Sequence, residues 1–225
     1  MKTHFNLTAS EYEQSRTGHL HRRRRDLVAD ELAARAAPGG RVLEIGCGPG
    51  ALLADLAATH DDVEFLGIDV EAPMIAHARE LHARHNVRYE LVDLRNERPD
   101  ERADFAFSID VLHHVGDLRA FLVGVHDSLR AHATWLAIEP NVFHPYILLS
   151  QERMRRAGYD EDHFRPWKVE PLFAEAGFEL LDRRYAFFFP GWMQRVPAAV
   201  ARIEPPLERF RLLGGSVVYR LARAT

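Results

Sequence analysis

Two apolar periodicities alternate along the middle of the chain. Short apolar runs rich in Val, Ile, Leu and Phe predict strands near 41–46, 63–69, 87–92, 103–109 and 133–138. The segments between them carry apolar residues at helical spacing or form loops. Strands that alternate with helices are typical of a parallel sheet covered by helices on its faces. We therefore predict an α/β fold.

Both ends of the chain depart from this alternation. Residues 1–37 predict a polar segment and then a helix, which we expect to begin at Asp26 as its N-cap and to end before Pro38. After the fifth strand, further strands are predicted at 178–189 and 216–223, and they form a hairpin-like pair. We interpret the first 37 residues as a lid over the rest of the fold.

The composition predicts one folded domain over residues 1–225. The chain has 225 residues, of which 47% are hydrophobic and 28% charged, so it can bury a sizeable core. A net charge of -4 argues against a surface that binds polyanions throughout. The single cysteine cannot form an intramolecular disulfide, the first residues lack an apolar signal segment, and no apolar run approaches the roughly 20 residues that cross a bilayer. We expect a cytoplasmic protein without a membrane span, and its oligomeric state is not predicted.

Residues 42–50, VLEIGCGPG, join the first strand to a helix through a glycine-rich turn. Gly46 and Gly48 allow a sharp turn and a close approach to a ligand at the carboxyl end of a strand. Their spacing also satisfies the loose dinucleotide-binding pattern. However, Pro49 removes an N–H that a pyrophosphate would use, and Glu44 places a carboxylate two residues before the turn. The turn therefore favours a nucleoside ligand that carries positive charge.

This turn resembles the first motif of the class I methyltransferases that depend on S-adenosylmethionine (SAM), E/D-x-G-x-G-x-G. The motif stands in this sequence as Glu44-Ile45-Gly46-Cys47-Gly48-Pro49-Gly50. SAM carries an ammonium and a sulfonium but no phosphate, which suits a neighbouring carboxylate. The resemblance implies a doubly wound, Rossmann-like sheet of seven mostly parallel strands with the last antiparallel, and SAM as the cofactor. It also implies methyl transfer to O, N or C of a small, apolar or aromatic acceptor, as in biosynthesis.

Two further acids follow the next two strands. Asp69 lies 23 residues after Gly46, close to the spacing of about 20 at which an acid accepts ribose hydroxyls. The resemblance assigns Asp93 to the adenine amino group and Met74 to the adenine face. The alternatives are a helix N-cap for Asp69, an Asx turn for Asp93 and core packing for Met74.

The N-terminal segment contributes to the same predicted site. Tyr12 and Arg16 resemble a Tyr-x-x-x-Arg segment that folds over the cofactor in related enzymes. The predicted cofactor-binding residues are Tyr12, Arg16, Glu44, Gly46, Cys47, Gly48, Asp69, Val70, Met74, Asp93, Leu94 and Ile109.

Histidines near the ends of the fourth and fifth strands are the candidate catalytic residues. The resemblance assigns His114 to packing under the next helix, so its neighbour His113 is the candidate for the acceptor pocket, with a solvated surface position as the alternative. Asn141 and His144 could be held over the same pocket or could cap turns of the loop. If the acceptor is a phenol or another hydroxyl, His113 or His144 could take its proton, whereas an amine or activated carbon needs only positioning.

Two loops are interpreted as insertions on the substrate side, residues 140–165 and 190–213. The aromatic stretch 187–193 could form the floor of an apolar pocket, could touch a membrane surface, or could pack against the sheet. An RNA or protein methyltransferase and a non-catalytic SAM-binding subunit are the alternative functions. The basic run 22–25 could form a phosphate-binding face or a solvated helix start, but it lacks aromatic residues for stacking bases, and we expect no nucleic-acid partner.

No metal site is predicted. His82 and His85 lie at helical i, i+3 spacing, but no carboxylate or cysteine lies at a spacing that would place it on the same helix face.

Overall fold

A seven-stranded sheet forms the centre of the protein. The computed structural model describes residues 7–35, 37–156 and 165–224. The strands are Arg41–Ile45 (β1), Glu64–Asp69 (β2), Val87–Leu91 (β3), Ala103–Ile109 (β4), Leu129–Pro140 (β5), Phe178–Ala186 (β6) and Ser216–Arg223 (β7). Their spatial order is β3-β2-β1-β4-β5-β7-β6, with β1 to β5 parallel and β7 antiparallel to both of its neighbours. The predicted fold class is confirmed.

Helices cover both faces of this sheet. They are Ala9–Ser15 (α1), His19–Arg35 (α2), Ala51–Ala57 (α3), Ala72–Leu81 (α4), Leu118–Asp127 (α5), Pro145–Arg156 (α6), Pro166–Glu175 (α7), Ala198–Ala201 (α8) and Glu204–Glu208 (α9), with a 3-10 turn at Leu112–His114. Side chains from α2, α3 and α4 pack with Val42 in one apolar cluster, and those from α5 and α7 pack with Leu43 and Ile45 in another. Successive residues of a strand face opposite sides, so the two clusters lie on opposite faces of β1.

The strand order places a crevice at the carboxyl ends of β1 and β4. From β1 the chain winds outward through β2 to β3, and it then returns to β4 on the other side of β1. Ligands of doubly wound sheets bind where the strand order reverses in this way. The turn after β1 and the 3-10 turn after β4 both lie at this edge.

The predicted start of the N-terminal helix is wrong. Helix α2 begins at His19, so Asp26 lies inside the helix and is not its N-cap. Arginine is a good helix former, and the buried Arg24 is held by an ion pair with Asp110, in a distant part of the fold. Among the described residues, no helix combines the length and the apolar character that a membrane crossing would need.

Candidate active site

The turn after β1 requires glycine for two separate reasons. Gly46 and Gly48 have φ angles of 72° and 52°, in the left-handed region that glycine adopts without strain. The N–H of Gly46 donates to the carbonyl of Ile68 at 2.8 Å, which ties the turn to β2. A Cβ on Gly46 would lie 2.5 Å from Cγ2 of Val111, so a larger residue there would collide with the segment after β4.

Asp69 fastens the same turn to the end of β2. Its Oδ2 accepts the N–H of Gly48 at 2.8 Å, and its Oδ1 accepts the N–H of Glu71 at 2.9 Å. Burial raises the pKa of the Asp69 carboxyl, and these backbone donors partly offset that rise. The bond from Glu71 fixes the backbone just before α4, which is similar to the N-cap role given above as the alternative for Asp69. Each carboxylate oxygen has a further lone pair, so ribose binding by Asp69 stays a prediction.

Glu44 is a buried carboxylate that lacks a donor. It lies in β1, and its Oε2 has no hydrogen-bond partner among the described residues. Burial, and then the nearby Asp69 carboxylate, raise the pKa of Glu44 well above its usual value, while Arg16 acts in the opposite direction. An unpaired buried carboxylate is costly, so this site suits a ligand that brings a cation with hydrogen-bond donors.

Helix α1 lies over the glycine turn. A Cβ built on Gly48 would lie 3.6 Å from Cε1 of Tyr12, in ordinary contact. The guanidinium carbon of Arg16 lies 4.4 Å from the centre of the Tyr12 ring, and Arg16 Nη1 lies 3.7 Å from Oδ2 of Asp110. Burial raises the pKa of the Tyr12 hydroxyl. The predicted lid residues therefore lie beside the turn.

Asp93 forms the turn that was its alternative interpretation. Its Oδ1 accepts the backbone N–H of Arg95 at 3.0 Å, which closes an Asx turn after β3. The Arg95 guanidinium also donates to both carboxylate oxygens at 2.7–3.1 Å, and these bonds lower the pKa of Asp93. An adenine amino group would have to share this carboxylate with Arg95, so the adenine role stays a prediction.

The remaining predicted cofactor residues differ widely in exposure. Cys47, Met74 and Leu94 are buried, Ile109 is half-buried, and Val70 is 58% exposed. Burial raises the pKa of the Cys47 thiol well above its usual value, which opposes a role as nucleophile. Val70 follows β2 directly and offers an exposed apolar side chain at the crevice.

His113 and Glu139 form a buried pair between the ends of β4 and β5. Nδ1 of His113 lies 2.8 Å from Oε2 of Glu139. The other carboxylate oxygen, Oε1, accepts the N–H groups of Val111 and Leu112 at 2.9 and 2.8 Å. A carboxylate only accepts hydrogen bonds, so Nδ1 carries the proton and the lone pair of a neutral ring lies on Nε2. This arrangement of an oriented histidine is typical of a general base.

The packing role expected for His114 is wrong. His114 is exposed, while His113 is the buried member of the pair. The two rings contact each other with centres 3.8 Å apart. The 3-10 turn after β4 points the first ring towards Glu139, which leaves the second at the surface.

The loop after β5 separates Asn141 from His144. The buried Asn141 amide donates to the carbonyls of Arg211 and Gly214 at 2.7 Å, and its Oδ1 accepts the N–H of Phe143 at 3.1 Å. Asn141 therefore caps turns. His144 is half-buried, burial lowers its pKa, and its Nδ1 is buried without a partner among the described residues.

Sequence reasoning missed a buried ion pair at the end of β4. Arg24 donates to Oδ2 and Oδ1 of Asp110 at 2.7 and 3.0 Å, and it also reaches Oγ of Ser216 at 3.2 Å. Asp110 has a φ of 58°, which is uncommon for a residue with a side chain. Burial would raise the pKa of Asp110, but Arg24 and then Arg16 outweigh it and hold this pKa well below its usual range. This network joins the lid, α2 and β4.

The part of the chain that carries this site matches a known protein family. Residues 43–134, from β1 into β5, match the family model described as a methyltransferase domain. This segment is a methyltransferase domain. The family predicted from the glycine motif, the SAM-dependent methyltransferases, is thereby confirmed. The matched residues contain the glycine turn, Asp69, Asp93 and His113.

Relatives of the methyltransferase domain differ in what their names say they methylate. A tRNA (guanine-N(7)-)-methyltransferase of Alkalilimnicola ehrlichii is 45% identical over 70 residues, 30% of this chain and 29% of the relative. A ubiquinone biosynthesis O-methyltransferase of Rhodopseudomonas palustris is 37% identical over 87 residues, 37% of this chain and 33% of the relative. The chain thus matches well under half the length of these relatives.

Similarity of fold extends much further than similarity of sequence. A solved complex between the Haloferax volcanii Trm112 methyltransferase activator and a methyltransferase matches with a TM-score of 0.71 at 16% identity, over 100% of both chains. At that identity the likeness concerns the fold alone.

Proposed function

We propose that the protein transfers a methyl group from SAM to a small apolar or aromatic acceptor. The observation that carries this proposal is the buried carboxylate of Glu44, whose Oε2 lacks a donor, in the strand that leads into the glycine turn. SAM, when bound, supplies an electrophilic methyl group on a sulfonium and an ammonium that can pair with a carboxylate. NAD would bring a pyrophosphate instead, and Glu44 and Asp69 would repel it.

The residues of the crevice fit the parts of SAM in separate places. Glu44 would accept from the ammonium, Asp69 would accept from the ribose hydroxyls, and Tyr12 would cover the turn from the side of α1. Val70 supplies exposed apolar surface after β2, and the buried Met74 would lie behind it on the adenine side. In-line methyl transfer depends chiefly on holding donor and acceptor about 3 Å apart and aligned, so these contacts account for much of the catalysis.

His113 is the residue that we assign to proton removal. Its Nδ1 is oriented by Glu139, which leaves Nε2 as the basic nitrogen of the neutral ring. A hydroxyl or phenol acceptor would lose its proton to this nitrogen. An amine or activated carbon would use the same pocket by positioning alone. His144 lacks an orienting carboxylate in the described structure, and it is the weaker candidate for the base.

The acceptor side is proposed to lie between the two substrate-side insertions. Phe143 packs against Trp167 and Tyr185 with ring centres 5.5 and 6.5 Å apart, and Arg211 lies 4.2 Å above its ring centre. Trp192 is 68% exposed. Residues 157–164 of the first insertion lie outside the described residues. An aromatic wall of this kind favours an apolar or aromatic acceptor.

RNA is the second candidate acceptor, because one relative is named a tRNA methyltransferase. The basic run 22–25, however, is engaged within the protein. Arg23 pairs with Glu204 and Glu208, Arg24 pairs with Asp110, and Arg22 donates to the carbonyl of Thr17. Few of these charges are left for phosphates, so the structure gives little support to a nucleic-acid surface at α2.

A screen for consumption of SAM distinguishes the candidate functions. Mixtures of phenols, amines and bulk tRNA would be incubated with the protein and SAM, and the methylated product identified by mass spectrometry. We expect turnover in a small-molecule mixture. Methylation or salt-dependent binding of tRNA would favour the RNA acceptor, and SAM binding without any turnover would favour a non-catalytic subunit.

Glu44→Gln tests the cofactor. The amide cannot attract an ammonium as a carboxylate does, so we expect SAM binding to weaken by about 10- to 100-fold. The same change removes a buried carboxylate without a donor, so the ligand-free variant should be at least as stable as the wild type. Calorimetry with SAM and a urea titration measure the two effects. Tight binding of NADH by the wild type, or unchanged SAM affinity in the variant, would contradict the cofactor assignment.

The stability gain expected for Glu44→Gln should depend on pH, and this dependence serves as a control. Burial raises the pKa of folded Glu44 above its unfolded value, so ionisation of Glu44 makes the folded state less stable as the pH rises from about 4.3. The stability gain of the variant should therefore shrink as the pH falls from the raised folded pKa towards about 4.3, and it should be nearly absent below that value, where the carboxyl is protonated in both states.

Phe143→Ala and Trp192→Ala test the acceptor side. Each should reduce turnover of the acceptor much more than it reduces SAM affinity, because the cofactor contacts lie elsewhere in the crevice. Leu181→Ala on β6, an exposed apolar residue outside both insertions, is the control and should change neither quantity. Paired measurements of kcat/KM and of SAM affinity decide the result. An equal loss of both in a folded variant would assign these aromatic residues to packing.

A further inference from the structure

Three side chains that the proposed methyl transfer does not use meet between α1 and α4. His77 Nε2 lies 2.9 Å from Oε2 of Glu13, and His82 Nε2 lies 3.1 Å from its Oε1. The three ligand atoms all lie within 4.8 Å of one another, and no other group of three such side chains meets that limit among the described residues. The three side chains are 14–29% exposed, so solvent reaches the group.

The distances suit a small tetrahedral cation. Zinc binds imidazole nitrogen and carboxylate oxygen at about 2.0–2.2 Å, which puts neighbouring ligand atoms about 3.3 Å apart. The separations of 2.9 and 3.1 Å between the Glu13 oxygens and Nε2 of the two histidines would need to open by only a few tenths of an ångström. Two histidines and one glutamate leave the fourth position to water, as in open zinc sites.

The charges around Glu13 also favour a bound cation. Its carboxylate pairs with two imidazoles, and no lysine or arginine pairs with it in the part of the chain that the structure describes. A divalent cation held between the two rings and this carboxylate would bring positive charge directly to it. Imidazole ligands favour zinc-like ions over magnesium and calcium, which prefer oxygen.

We propose that Glu13, His77 and His82 form a binding site for a zinc-like divalent cation, which fastens α1 to α4. Helix α1 is only seven residues long and buries none of its residues fully, so it depends on contacts of this kind to stay in place. Tyr12 precedes Glu13 directly, and Arg16 lies three residues further on. The cation therefore holds the segment that covers the glycine turn.

The helical spacing in the sequence had drawn attention to His82 and His85, a different pair of histidines. His85 is exposed three residues after His82. The structure instead brings His82, the residue that follows α4, together with His77 of α4 and with Glu13, which is 69 residues from His82 in sequence. His85 is for this reason a matched control, a histidine of the same region that is absent from the group.

Metal titration of the tag-free full chain tests the site. After treatment with a chelator, the protein would be titrated with Zn²⁺ by calorimetry and with Co²⁺ by visible absorption. We expect one ion per chain and the intense absorption of tetrahedral Co²⁺. Glu13→Gln, His77→Gln and His82→Gln should each weaken Zn²⁺ binding by about tenfold or more, while His85→Gln should bind as the wild type does.

Hydrogen exchange and thermal unfolding supply readouts that do not depend on catalysis. Zn²⁺ should slow exchange of the amides of α1 and raise the Tm of the wild type and of His85→Gln, but not of His77→Gln. Thermal unfolding of the metal-free variants shows whether each is folded. Absence of saturable Zn²⁺ binding, binding that survives His77→Gln with His82→Gln, or equally tight binding of Mg²⁺ would overturn the proposal. These measurements omit SAM and any acceptor, so their failure would leave the proposed methyl transfer untouched.

Discussion

Replacing His113 with glutamine is expected to lower kcat for a hydroxyl or phenol acceptor by about 10²- to 10⁴-fold, the contribution typical of a positioned general base. SAM affinity should change little, because the base acts on the acceptor and not on the cofactor. The expectation rests on the buried contact at 2.8 Å between His113 Nδ1 and Glu139, which directs the basic nitrogen Nε2 away from the carboxylate. Single-turnover rates, measured beside SAM affinity, check it.

Glu139→Gln should cause much of the same loss in kcat, although Glu139 does not contact the acceptor. The amide NH₂ cannot accept the Nδ1 proton, so the ring would change to the tautomer that has its proton on Nε2. Glu139 is thus a positioning residue, and its variant should also lose some stability, because a neutral amide oxygen accepts the N–H groups of Val111 and Leu112 more weakly than the carboxylate does. His144→Gln is the control and should retain most of the activity. A larger loss in His144→Gln than in His113→Gln would reverse the two assignments.

Replacing Arg24 with methionine is expected to lower the free energy of unfolding by about 3 kcal/mol. Removing one partner of a buried ion pair typically costs 3–5 kcal/mol, because the other charge stays buried and unpaired. The lower end applies, since Arg16 remains 3.7 Å from the Asp110 carboxylate. Methionine preserves much of the apolar length of the arginine side chain, so the loss reports chiefly on charge. Urea unfolding at neutral pH measures it.

The double variant Arg24→Met with Asp110→Asn is the matched control. Asparagine is neutral, and it tolerates the left-handed backbone of residue 110 better than most residues do. It should recover at least half of the lost stability. A loss below about 1 kcal/mol in the single variant, or a double variant no more stable than the single one, would show that the pair carries little of the stability.

The pH dependence of the Arg24 effect has a definite sign. The folded pKa of Asp110 lies below its unfolded value of about 3.9, so the pair stabilises the protein above that pH and stops doing so as the pH falls towards the folded pKa. The stability difference between wild type and Arg24→Met should therefore shrink in acid.

Local sequence was sufficient for most of the fold. The five parallel strands were predicted to within a few residues, because apolar runs and helical periodicity are properties of short segments. The glycine turn could also be predicted, since its positive φ angles need residues without a Cβ. The same motif identified the family, which the match to residues 43–134 confirms. Helix α2 escaped prediction in part because its arginine-rich first half lacks an apolar stripe.

The contacts between side chains depended on the tertiary structure. Arg24 and Asp110 are 86 residues apart in sequence, Glu13 and His77 are 64 apart, and His113 and Glu139 are 26 apart. Parallel strands bring their carboxyl ends to one edge of the sheet, and helices then cover that edge, so these residues meet only after the whole domain has packed. No local pattern of charge or apolar spacing specifies such a meeting. The sequence by itself determined the scaffold and the glycine turn. The packed structure decided that His113 is the histidine buried beside a carboxylate and that Arg24 is the arginine that holds the lid, because both depend on strand register and burial.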